Sequence, residues 1–168
     1  MIKARRYVVT AALLLAVGVA APAWAQTPDL SGTWKFDASK SMGDPVVPRI
    51  YNPTGVKPTD PTLMIKQSPT ELLVTMGDAN LKYMMDGTEA NISAEGRAGF
   101  PKGTVALENG NLVITLSQEV FNAAKGDYEM VPGREVYSLK GNTLTVEKSQ
   151  TMLDGKVEKK KLVYMKGS

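Results

Sequence analysis

The feature that most constrains the fold is a recurring short run in which every second residue is apolar. Each run ends in a turn that contains Gly, Asn, Asp or Pro. This alternation gives a β-strand one apolar face, and helical periodicity is nearly absent. Such runs occupy residues 31–36, 63–67, 71–76, 81–85, 88–93, 105–108, 111–118, 134–140, 143–149 and 156–166. The pattern predicts an all-β fold: an antiparallel up-and-down β-barrel of about 8–10 strands.

Turn residues set the predicted connections between these strands. Asn109-Gly110 indicates a type I′ hairpin turn, and Asp86-Gly87 is a second hairpin signal. Residues 119–133 are ambiguous, since residues 120–125 fit either one helical turn or a strand extension. Residues 44–61 contain five prolines, which exclude a helix and a central strand, so we expect an extended loop there. Its length suits a binding loop or a lid, or else a flexible insert.

The N-terminus has the pattern of an export signal. Lys3, Arg5 and Arg6 precede an uncharged, mostly apolar run at residues 8–21, and Ala23-Trp24-Ala25 is a small-x-small cleavage site. We therefore predict a signal peptide over residues 1–25, cut between Ala25 and Gln26, and one domain over residues 26–168. The predicted location is the periplasm or the exterior of a bacterium, without a membrane anchor after cleavage. The general secretory route is favoured over twin-arginine export.

Charge and composition exclude several classes of function. Three of the 20 Lys and Arg residues lie in the leader, whereas all 17 Asp and Glu residues follow it, so the mature chain is formally neutral and we expect no nucleic-acid partner. The chain has no Cys and no His, which excludes Ser-His-Asp and Cys-His catalysis and makes a zinc site implausible. We expect no enzyme activity, no cofactor and no metal. The carboxylate pairs Asp127/Glu129 and Asp86/Glu89 lie in turn-rich segments, where solvated acids are usual.

The methionines and a run of lysines are two further candidate sites. Alternation places Met76 and Met85 inward but Met64 and Met84 outward, a split that favours core filling over a copper(I) site. Residues 159–161 are three lysines on a predicted strand, so the middle one faces opposite to its neighbours. We expect this run to keep the last strand soluble and to guard it against edge pairing.

A family resemblance is carried by the start of the first strand. The sequence from Asp29 to Lys35 reads Asp-Leu-Ser-Gly-Thr-Trp-Lys, followed by Lys40-Ser41, then Asp60-Pro61-Thr62-Leu63 and the Asp86-Gly87 turn. In these motifs the chain resembles exported bacterial lipocalin-like proteins of the calycin type. The resemblance implies a barrel in which Trp34 packs structurally across one end, with an apolar interior cavity that holds a small ligand.

The inward strand positions define the candidate binding site. They are Trp34, Phe36, Leu72, Val74, Met76, Leu81, Tyr83, Leu112, Ile114 and Leu116. We interpret the protein as an exported soluble binding protein that holds a small apolar or amphipathic ligand in the barrel. The alternative is a structural or protein-interaction module whose barrel is filled by its own side chains and has no ligand. The oligomeric state is left open.

Overall fold

The computed structural model describes residues 27–49, 52–93 and 99–167, and the predicted leader and its cleavage site lie outside them. The chain forms one large antiparallel sheet and a separate hairpin. The strands of the large sheet are β1 (Gly32–Phe36), β4 (Leu63–Gln67), β5 (Glu71–Met76), β6 (Ala79–Met84), β7 (Ala90–Asn91), β8 (Lys102–Glu108), β9 (Asn111–Asn122), β10 (Asp127–Lys140), β11 (Thr143–Thr151) and β12 (Val157–Lys166). The separate hairpin consists of β2 (Val47–Arg49) and β3 (Asn52–Val56), and a short 3-10 helix covers Ala38–Lys40.

The ten-stranded sheet curls into a nearly closed barrel. Its order is β6-β5-β4-β1-β12-β11-β10-β9-β8-β7, so neighbours in the chain are neighbours in the sheet and β1 lies between β4 and β12. The two ends of the sheet meet where the Lys82 N–H donates to the Ile92 carbonyl at 2.8 Å and Leu81 pairs with Ser93. The predicted all-β, antiparallel up-and-down barrel is confirmed. Within the described part of the chain, no helix is long and apolar enough to cross a membrane.

The structure shortens one predicted strand and decides between the two alternatives that the sequence left open for another segment. The strand expected over residues 88–93 shrinks to Ala90–Asn91, because the Thr88 N–H and hydroxyl both donate to Asp86 Oδ1, at 2.9 and 2.7 Å, and continue the turn. The ambiguous residues 119–133 extend β9 and β10, and a turn in which the Gly126 N–H donates to the Asn122 carbonyl at 2.8 Å joins them. The expected type I′ turn is confirmed, since φ is positive at Asn109 (51°) and Gly110 (77°).

The proline-rich segment also needs correction. The described residues of 44–61 contain no helix and no central strand, as expected, but part of them pairs as the β2–β3 hairpin instead of forming a plain extended loop. A two-stranded sheet tolerates Pro48 and Pro53 because each strand has a free edge. β12 pairs with β11 along its length, whereas on its other side β1 pairs only with residues 164–166 and Met42 with Lys161. An edge-guarding role for the lysines at 159–161 stays a prediction.

One end of the barrel is closed around Trp34, which is fully buried. Its indole N–H donates to the Leu30 carbonyl at 2.9 Å, so the N-terminal arm packs against this end. Lys166 pairs with Trp34 across β1 and β12, and its Nζ lies 5.4 Å from the centroid of the indole ring. The structural role expected for Trp34 therefore matches its position, and Lys166 is a partner that the sequence did not reveal.

Candidate functional site

The ten predicted site residues all lie on the inner side of the barrel. Nine belong to a single cluster of buried side chains, and Phe36 is partly buried against it. These side chains pack on one another: a void bordered by Val74, Met76 and Leu81 has a volume of about 10 Å³, room for roughly one water molecule. Only Leu116 of the ten also borders the larger cavity described below. Contact between these residues and a ligand stays a prediction.

The other end of the barrel, where the β9–β10 and β11–β12 turns lie, is here called the mouth. The β2–β3 hairpin covers it, and Val47 of this hairpin is 1 % exposed because it reaches into the buried cluster. The segment before the hairpin is fastened to β12 by two backbone hydrogen bonds between Met42 and Lys161, at 2.7 and 3.1 Å. A Cβ at Gly55, where φ is +65°, would lie 2.4 Å from the Val47 carbonyl oxygen. Glycine is therefore required for the hairpin to hold Val47 in place.

Beneath the mouth hairpin, the inner face of the barrel changes from apolar to charged. Glu135 on β10 is directly opposite Lys148 on β11, and the Lys148 Nζ lies 2.7 Å from Glu135 Oε1. The other carboxylate oxygen, Oε2, accepts a hydrogen bond from the Tyr137 hydroxyl at 2.8 Å. The side chains of Glu135 and Lys148 are only 7 % and 17 % exposed. An ion pair so shielded from water is strongly coupled.

Two more tyrosines surround this ion pair. Burial, and then the negative charge of Glu135, raises the pKa of Tyr83 and of Tyr137 well above the usual tyrosine value. The same two causes raise the pKa of Tyr164. Among the residues that the structure describes, the Tyr83 hydroxyl has no hydrogen-bond partner. The barrel therefore has a polar layer of neutral phenols and one ion pair above its apolar floor.

A cavity of about 60 Å³, room for roughly five water molecules, lies between this layer and the mouth hairpin. The hairpin contributes Val46, Pro48, Thr54 and Gly55, and Pro101 and Leu116 add apolar surface. The polar wall consists of Gln118, Arg134, Glu135, Lys148, Ser149, Gln150, Glu158 and Lys160. A space that is apolar on one side and rich in hydrogen-bonding groups on the other fits a small amphipathic molecule.

Gly133 keeps part of this wall open. A Cβ at Gly133 would lie 2.5 Å from Gln150 Oε1, so the absence of a side chain leaves room for the Gln150 amide. That amide donates from Nε2 to the Pro132 carbonyl at 3.1 Å. The bond holds the Gln150 side chain against the middle of β10.

Sequence reasoning missed these polar residues because charged side chains are usually exposed. The signal was nevertheless present in the alternation: Glu135 is in phase with inward Tyr137, and Lys148 is in phase with inward Leu144 and Val146. A charged residue that keeps the inward phase of a strand is a candidate for a buried polar site.

The remaining sequence candidates do not converge on a site. Asp86 accepts from Thr88, and Glu129 pairs with Lys125 and accepts from Asn122 at 3.1 Å, so each has a local turn partner. No cluster of three or more acidic residues suited to a metal ion occurs in the described ranges. Met76 and Met85 are buried whereas Met64 is about half exposed, which agrees with the predicted split of the methionines.

Compared with protein-family models, with curated proteins and with solved structures, the chain has no significant match.

Proposed function

We propose that this is an exported binding protein for a small amphipathic molecule, which it holds at the barrel mouth beneath the β2–β3 hairpin. The observation that carries the proposal is the cavity of about 60 Å³, closed by a hairpin on one side and lined by inward polar side chains on the other. Ligand sites are typically concave, with mixed apolar walls and a few convergent polar groups.

The buried ion pair supports a binding role. A barrel built only for stability gains little from a shielded pair, because apolar residues of similar volume are often as stabilising or more so. Glu135 and Lys148 are therefore better explained as groups that fix the polar end of a bound molecule. Leu116, Val46 and Pro48 provide apolar contacts for its other end.

The cavity limits the size of the ligand. A volume that holds roughly five water molecules accommodates a molecule of a few non-hydrogen atoms, or one end of a longer molecule that extends through the mouth. Because small ligands gain a limited free energy per atom, we expect a dissociation constant of about 1 mM for a seven-atom probe.

The test is a titration of ¹⁵N-labelled protein with straight-chain alcohols from butanol to octanol, followed by amide chemical shifts. We expect saturable shifts at the mouth, around Leu116, Lys148 and Gln150, and no shift at the Trp34 indole. Trp34 lies too far from the mouth to sense binding there. It pairs with Lys166, which is six residues along β12 from Lys160 at the mouth, a distance of about 20 Å. Absence of saturation for every alcohol contradicts the proposal.

A matched pair of variants localises the binding. Leu116→Phe adds volume to the cavity wall, whereas Leu112→Phe makes the same change four residues away on the same face of β9, outside the cavity wall. We expect Leu116→Phe alone to abolish the saturable shifts. Equal binding by the two variants contradicts a site at the mouth.

The alternative is a structural or protein-interaction module without a ligand. One observation favours it: the apolar floor encloses a void of only about 10 Å³, so side chains fill most of that region. The same titration separates the two functions, since the module predicts that no alcohol shifts any amide in a saturable way.

Export is part of the proposal and has its own test. The positive residues, the apolar run and the Ala23-Trp24-Ala25 site in the N-terminal 25 residues support it. Mass spectrometry of the protein expressed with its leader in a bacterium is expected to find a periplasmic or secreted form that begins at Gln26. Recovery of the full-length chain in the cytoplasm alone contradicts export.

A further inference from the structure

We propose that the molecule bound at the mouth carries an anionic group of the carboxylate kind, held between Lys148 and Lys160. This inference rests on the proposed function and adds the charge class of the ligand.

The main observation is a pair of lysines that face each other. Lys148 and Lys160 are directly opposite on β11 and β12, and both border the mouth cavity. Their side chains are only 17 % and 19 % exposed. Like charges directly opposite on one face of an antiparallel pair destabilise it. An anion between the two ammonium groups removes that repulsion.

The carboxylates nearby leave donors for an anion. Each ammonium group has three N–H donors. In the described part of the chain, Lys148 is bonded to Glu135 at 2.7 Å, and Lys160 lies 3.4 Å from Glu158. Glu158 is about half exposed on its side chain, so its attraction for Lys160 is weakened by water. Both lysines thus retain N–H groups that can donate to a ligand.

The charges around the mouth favour an anion over a cation. Glu135 already pairs with Lys148 and accepts from the Tyr137 hydroxyl, so its negative charge is balanced within the barrel. The charged residues that border the mouth cavity are three cations, Arg134, Lys148 and Lys160, and two carboxylates, Glu135 and Glu158, so its lining has a net positive charge.

The experiment compares three probes of equal chain length: hexanoate, hexan-1-ol and hexylammonium. Binding to the exported protein is measured by amide chemical shifts at low ionic strength. Because hydrogen bonds to charged groups are stronger than those between neutral groups, we expect hexanoate to bind about tenfold tighter than hexan-1-ol. Hexylammonium is expected to bind weakest.

Two substitutions on one strand provide the control. Lys160→Gln is expected to weaken hexanoate binding about tenfold and to leave hexan-1-ol binding unchanged, since only the charged partner is lost. Lys159→Gln removes the neighbouring charge on the outer face and is expected to leave both affinities unchanged. Lys148→Gln is a second test of the same kind, with folding of each variant checked by its urea midpoint.

The outcomes distinguish this inference from the proposed function. Equal affinity for hexanoate and hexan-1-ol, a preference for hexylammonium, or an unchanged hexanoate affinity in Lys160→Gln overturns the anion inference while ligand binding stands. Failure of all three probes to bind overturns the proposed function as well.

Discussion

Replacing Lys148 by Met is the most informative single change, because it removes one partner of a shielded ion pair. The Glu135 side chain is 7 % exposed, and its remaining hydrogen bond comes from the Tyr137 hydroxyl at 2.8 Å. The carboxylate then loses its bonded counter-charge at a position that is largely shielded from bulk water. Breaking a buried pair in this way costs about 3–5 kcal/mol of the free energy of unfolding.

The opposite substitution, Glu135→Gln, is expected to cost less. Glutamine keeps the shape and an acceptor for Tyr137, and the Lys148 ammonium, at 17 % exposure, lies beside a cavity with room for water. We expect a cost of about 1–2 kcal/mol, in the range of a lost charge-assisted hydrogen bond. The double variant Glu135→Gln/Lys148→Met leaves no unpaired charge, so it is expected to be more stable than Lys148→Met alone.

Urea unfolding followed by fluorescence measures these free energies, since Trp34 is buried and is the tryptophan that remains after residue 25. The matched comparison is Lys159→Met, an exposed lysine on β12, which is expected to change stability by about 0.5 kcal/mol or less. A cost below about 1 kcal/mol for Lys148→Met refutes the reasoning.

Further predictions concern the tyrosines and the mouth hairpin. Tyr83→Phe is expected to leave the free energy of unfolding unchanged or slightly higher, because the Tyr83 hydroxyl is buried without a partner. Tyr137→Phe breaks a hydrogen bond to a carboxylate and is expected to cost about 1.5–3 kcal/mol in urea unfolding. The folded pKa values of Tyr83, Tyr137 and Tyr164 lie above the unfolded value of about 10, so the stability of the protein is expected to fall as pH rises past 10. Absorbance near 295 nm is expected to show these phenols ionising only as the barrel unfolds. Ionisation in the folded state argues against their burial. Gly55→Ala is expected to be more destabilising than Gly110→Ala: both have positive φ, but only at Gly55 does the new Cβ meet a backbone oxygen at 2.4 Å, and equal costs contradict this explanation.

Local chemistry made much of the barrel predictable. The phase of alternation assigns Leu72, Val74 and Met76 to the interior, because side chains on a strand point to opposite faces in turn. The Asn109-Gly110 turn follows from the two residue types that tolerate positive φ. The strand expected over residues 88–93 is shorter in the structure, covering Ala90–Asn91, because the hydrogen bonds of Thr88 to Asp86 compete with strand pairing at its start.

The candidate site was predictable only in part. Alternation places Glu135 and Lys148 on the inward face, but their partners belong to other strands, and the pair exists only because β10 and β11 align these two residues. The proline content of residues 44–61 excludes a helix, yet nothing local shows that Val47 reaches into the buried cluster.

The sequence by itself determined most strands of the large sheet and their inward faces, because each depends on residues close together in the chain. Tertiary structure decided which rows of side chains meet: the register of β10, β11 and β12 brings Glu135, Lys148 and Lys160 side by side. It also decided that the β2–β3 hairpin covers them. Register and closure depend on pairings between residues far apart in the chain, so the mouth and its charges follow only from the folded barrel.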